Sequence, residues 1–246
     1  MAGRSLYISI LALLLAAPFA AARQGHRNTS SVPASDFDRD VALYPDALLA
    51  AGESMSARAM DSNPHIYTTV LRSNATGDSQ RAQEVLDILR KSMERYKDSR
   101  VAVSEGFEPF SPKTDQRVYW FINARNAYLA AYEFNPGHPT ALLYKKSKGN
   151  YELKGAVFTA PKAATESQLN DRVPLSVARW HEHVNLCVSL RREADQPADA
   201  PKFGLFGSIA TKDACVAAGG RWVPQVFGWM IAVFPFASQP SAVWPQ

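Results

Sequence analysis

His181 and His183 stand one residue apart in VPLSVARWHEHVNLC, residues 173–187, with Cys187 four residues further on. Read as a β-strand, this stretch alternates its side chains. Arg179, His181, His183, Asn185 and Cys187 then share one face, and Ala178, Trp180, Val184 and Leu186 share the other, interrupted by Glu182. The second face suits a core. The first sets two imidazoles side by side, so both rings can converge on one ion, and zinc or copper suits such ligands. A metal site needs a third donor. His138, in NPGHPT just ahead of the next sheet-forming segment, is the expected one, because a loop beside a sheet reaches the end of a neighbouring strand. Glu182 points to the wrong face unless a bulge re-aims it. His65 lies in the helical half, and nothing in the sequence brings it near. The competing reading makes His181 and His183 half-exposed, hydrogen-bonded residues of a polar face, with His138 fixing a turn.

Other chemistries lack their residues. The two histidines flank a single glutamate, so they are not the H-E-x-x-H pair of a helix, and neither a P-loop nor a G-x-G-x-x-G occurs. Ser208 in GLFGSIA does not form a G-x-S-x-G elbow. The order His, His, Cys differs from the mononuclear copper electron-transfer arrangement, and Met230 is distant in the chain. An ion with an open position would activate water or serve redox chemistry; the sequence does not choose between them.

The first residues place the protein outside the cytoplasm. Arg4 precedes an apolar run from Leu6 to Ala17, and Ala20-Ala21-Ala22 offers an A-x-A cleavage site. This predicts a signal peptide over 1–22 and a periplasmic or secreted protein. The run is shorter than the roughly 20 apolar residues of a membrane span. The segment from Val226 to Ala237 is shorter still and is broken by Pro235, so no stable membrane span is expected after cleavage. The net charge of +4 comes from scattered Lys and Arg; a nucleic-acid partner wants a basic face, and none is expected. Cys187 and Cys215 are the two cysteines, and in an oxidising compartment they are expected to form a disulfide. Cys187 is then no ligand.

The remaining chain must position the histidines. Residues 23–37 read as a flexible leader and 38–246 as a single α+β domain, for which a content of 46% apolar residues supplies a core. Residues 41–60 read as one or two short helices with Pro45 near a start. From Ser79 to Lys97 the residues Ala82, Val85, Leu86, Leu89, Met93 and Tyr96 keep the spacing of one helix face, with Ile88 on its flank. Val118–Ile122 is β-prone and Ala124–Tyr132 helix-prone. TALLYKKSKGNYELKGAVFTAP reads as a hairpin turning at Gly149-Asn150, Thr165 and Gln168 have capping-box spacing, and TKDACVAAGG is a short helix ended by glycines. QVFGWMIAVFPF closes the chain as an apolar strand. The expected fold is a helical N-terminal half packed on a mainly antiparallel sheet formed by the C-terminal half.

The segments HPTALLY, WHEHVNLC and FGWM, within residues 117–236, resemble an uncharacterised family of exported bacterial proteins, which lends a shared fold but no activity. The resemblance implies a histidine where this chain has Ala232. Two functions are thus expected: an exported protein with a His-built zinc or copper site, or a non-catalytic periplasmic binding or accessory domain with structural histidines.

Overall fold

The computed structural model describes residues 35–54, 62–190 and 201–245. The expected signal peptide lies outside the described residues, as does the expected leader up to residue 34. Helix α1 (Asp36–Leu43) starts two residues inside the expected leader. It starts there because Ser35 and Asp38 form a reciprocal capping box that satisfies two of the orphan N-terminal donors. Helix α2 (Pro45–Ser54) carries Pro45 at its first position, where a missing N–H costs nothing. Helix α3 (Asp78–Met93) continues into a 3-10 turn, Glu94–Lys97. It buries Ala82, Val85, Leu86, Leu89 and Met93, with Tyr96 buried in the turn, as the spacing predicts, and leaves Ile88, outside the stripe, 49% exposed. Helix α4 (Ser99–Ser104) is capped by Asp98 and α5 (Ala124–Leu129) by Asn123. Helix α6 (Glu166–Arg172) has the full Thr165–Gln168 capping box, and α7 (Lys212–Ala217) is capped by Thr211.

The strands are β1 (Ile66–Thr68), β2 (Glu108–Pro109), β3 (Tyr119–Ile122), β4 (Ala141–Ser147), β5 (Asn150–Ala160), β6 (His181–Ser189) and β7 (Gly220–Val233). They form one sheet in the order β1-β6-β7-β5-β4-β3-β2, antiparallel at every junction. The fold is α+β, with helices leading and the long strands following. The β4–β5 turn falls on Lys148 and Gly149, one residue earlier than expected, and both have positive φ (49° and 82°). A tight hairpin turn of this kind needs positive φ at both central residues, which favours glycine at one of them.

Helices cover both faces of the sheet. On the first face, Phe121, Leu142, Tyr144, Phe158, Trp229 and Ile231 pack with Val85, Leu89 and Met93 of α3 and Leu169 of α6. On the second, Trp120, Leu143, Val157, Val226, Met230 and Ala232 pack with Phe37 of α1, Leu48 and Ala51 of α2 and Ala127 of α5. Alternate residues of β4 and β7 therefore serve different cores. Strands buried on both faces read as near-continuous apolar runs, and this is why ALLY and WMIAV do not alternate.

Candidate functional site

Strand β6 lies between β1 and β7, and its two histidines sit where β7 is irregular. His181 is opposite Met230 and His183 is opposite Val226, so one residue between partners on β6 faces three on β7. The surplus is taken up at Phe227 and Gly228, whose φ values are 68° and 73°. A bulge of this sort bends and twists the strand. Glycine is required at its second position, because a Cβ on Gly228 would come 2.5 Å from the Ala160 carbonyl oxygen. Asp40 of α1 holds the bulge from above: its Oδ2 accepts the Phe227 N–H at 2.7 Å and pairs with Lys162 Nζ at 2.7 Å.

Both histidines face the second core. Val226 and Met230, their cross-strand partners, belong to it, and directly opposed residues share a face. The polar face expected of His181, His183, Asn185 and Cys187 does not exist. Asn185 adopts a left-handed φ of 58°, tied by its Nδ2 to the Pro64 carbonyl, and this breaks the alternation. Asparagine is among the few residues that tolerate that region. Leu186 consequently joins the face of the histidines instead of opposing it, while Trp180 belongs to the first core. Glu182 opposes Tyr67, whose ring meets Trp229 of the first core, and it accepts a hydrogen bond from Gln225 Nε2. The bulge lies in β7 and does not turn Glu182 toward the histidines.

His183 is wholly buried and His181 is 6% exposed. Their rings meet edge to face with centres 5.3 Å apart, and the Phe227 ring lies 6.0 Å from that of His183. Burial drives the His181 ring down to about 4. It holds His183 well below the ordinary imidazole range, with the neighbouring His181 and His65 adding to the effect. At neutral pH both rings are therefore neutral, the form that binds a metal. Neither Nδ1 nor Nε2 of His183 has a hydrogen-bond partner, and no other described residue has two such buried atoms. Leaving a buried polar group unpaired costs ~1–3 kcal/mol, so this ring calls for a partner.

His65 is the neighbour that sequence spacing did not supply. It precedes the three-residue β1, which pairs Ile66 with His183, and its own carbonyl accepts the Val184 N–H. Its Nδ1 faces the Asn185 carbonyl at 3.0 Å and its Nε2 the Gly207 carbonyl at 2.8 Å. A neutral imidazole has one N–H to donate; on Nε2, the nitrogen of the shorter contact, it ties the Gly207 carbonyl of the 201–209 loop to His65. His138 is exposed on the turn between α5 and β4, where its N–H donates to the Asn135 carbonyl. Among the described residues, no group of three or more His, Cys, Asp and Glu side chains is placed to hold a metal ion. Ala232, where the resemblance implies a histidine, is on the same face as Met230, opposite Val157. Cys187 and Cys215 form the expected disulfide, with Cα atoms 5.6 Å apart.

No family model matches this chain, and no curated protein or solved structure is significantly similar to it.

Proposed function

We propose that this is an exported protein, periplasmic or secreted, that binds a transition metal such as zinc or copper at His181 and His183. The observation that carries the reading is His183, a neutral and fully buried imidazole whose two nitrogens have no partner beside a second neutral imidazole. An ion between the rings takes up the lone pair that is otherwise stranded. The two ring centres are 5.3 Å apart, within the span of two metal–nitrogen bonds of ~2.0–2.1 Å once one nitrogen of each ring is aimed at the ion. His138 is exposed and is left out of the proposed site. Export rests on the N-terminal Leu6–Ala17 run and the buried Cys187–Cys215 disulfide. Among the described residues no helix is long and apolar enough to cross a membrane.

The test is the metal content of the full chain recovered after export, followed by thermal melts with zinc and with copper. One equivalent of metal, lost in His181→Ala/His183→Ala and kept in His138→Ala, is expected. The wild-type melting temperature should also rise on metal addition, a readout that needs no variant to fold. Wild-type protein that takes up neither metal and does not shift its melt would make the histidines structural, as in an accessory domain.

A further inference from the structure

Resting on that metal reading, we infer that the ion is copper(I) and that Met230 supplies its third ligand through the thioether sulfur. Met230 is the cross-strand partner of His181. Directly opposed residues of an antiparallel pair project to one face with Cβ atoms about 4.5–5.5 Å apart, so the thioether stands on the same face as the imidazoles. Met230 is 1% exposed, and the histidines share its surroundings, the second core. The β7 bulge gives this set its shape: with Phe227 and Gly228 looped out, Met230 comes opposite His181 while Val226 remains opposite His183. The unpartnered nitrogens of the wholly buried His183 are the second, independent sign of a ligand on this face.

Charge and softness select the metal. Among the described residues, the nearby carboxylates and thiols that could neutralise a dication are committed elsewhere. Glu182 lies on the opposite face of β6, Cys187 is in the disulfide, and Asp40 is occupied by Lys162 and the Phe227 N–H. The cost of burying an ion rises with the square of its charge, so a dication costs roughly fourfold more than a monocation in this dry face. Zinc also asks for four ligands in a tetrahedron. Two neutral imidazoles and one thioether make a neutral, soft, three-donor set, and thioethers select copper(I). His65 does not complete a harder set, because both its nitrogens already face carbonyl oxygens.

The experiment titrates the metal-free exported chain with copper(I), under nitrogen and against a coloured copper(I) chelator. Ascorbate keeps the metal reduced and leaves the disulfide intact. Wild type is compared with Met230→Leu, a substitution that nearly conserves volume and should melt within a few degrees of wild type. Zinc is titrated in parallel. One equivalent of copper(I) is expected in wild type. Affinity should fall at least tenfold in Met230→Leu while zinc affinity changes less than twofold, and one sulfur neighbour should appear in the wild-type copper X-ray absorption spectrum and vanish in the variant. Equal copper(I) affinity in both proteins, with only nitrogen around the metal, would remove Met230 and leave the histidine site standing. Absence of both zinc and copper(I) binding in wild type would remove the histidine site as well.

Discussion

The side chains of His181 and His183 make the folded state sensitive to acid whether or not a metal is bound. In the unfolded chain each imidazole takes a proton near 6.5; in the folded protein burial holds His181 to about 4 and keeps His183 well below its ordinary range. Between those limits the unfolded chain binds more protons, so stability is highest above 6.5 and falls as the pH drops below it. Each ring contributes at most ~1.4 kcal/mol per pH unit, which for His181 amounts to on the order of 3 kcal/mol by pH 4. Urea midpoints of metal-free protein at pH 7 and pH 5 should show this loss. In His181→Gln/His183→Gln the difference between the two pH values should shrink, because the carboxylates that titrate in the same range are common to both proteins. The pairing of these histidines was legible in the sequence, since one intervening residue in a strand puts them on one face. Their burial was not, because helices cover both faces of the sheet and no apolar alternation marks the histidines' side as a core; nor was the move of Leu186 to that side, since the single left-handed residue Asn185 has no periodic signature. His138 has the opposite difficulty: its turn enters β4 level with His181, but β7 and β5 stand between β6 and β4, and closeness along the chain to one strand says nothing about how many strands lie between.

At the level of elements, the junction of α1 with β7 holds the candidate site in register. The Phe227 N–H points out of the ladder at the bulge, and the Asp40 carboxylate receives it in a place that is 7% exposed. Asp40→Ala strips that N–H of its acceptor and Lys162 of its counter-charge. A loss of about 2–4 kcal/mol in unfolding free energy is expected from the unpaired donor and the broken, largely buried pair. Asp40→Asn keeps an oxygen for the N–H and removes only the charge, so its loss should be about half as large, a ranking that urea denaturation of the two variants reads directly. An equal loss in both would assign the whole effect to Lys162. Elements with strong local signals were legible: the α3 stripe, the Thr165–Gln168 box, the β4–β5 hairpin and the final strand all occur. The missed strands, β1 and β2, span three and two residues and exist only through their long-range partners β6 and β3. Such strands carry no pattern of their own, and it is β1 that brings His65 beside His183.

Across the whole molecule, two apolar cores on opposite faces of one sheet supply the bulk of the stability, and the disulfide ties the C-terminal part of β6 to α7. Cys187 on β6 is tied to Cys215 on α7 across 28 residues of chain. The loop between them is held further by the Gly204 N–H on the Cys187 carbonyl, by Asn63 on the Leu205 carbonyl and by His65 on that of Gly207. The fit is close enough that a Cβ on Gly220 would meet the two sulfurs at 2.6 and 3.0 Å. Closing a loop of this length restricts the unfolded chain by about 3.5 kcal/mol in the chain-entropy account. Domains of this size commonly have ~5–15 kcal/mol in hand, so Cys187→Ala/Cys215→Ala should still fold at 25 °C, with a cooperative urea transition displaced to lower concentration. Dithiothreitol should displace the wild-type transition toward that of the variant and leave the variant where it is. A variant as stable as the oxidised wild type would mean that the hydrogen bonds of the 201–209 loop hold this end of the sheet unaided, and that the disulfide matters to the chain only before it folds.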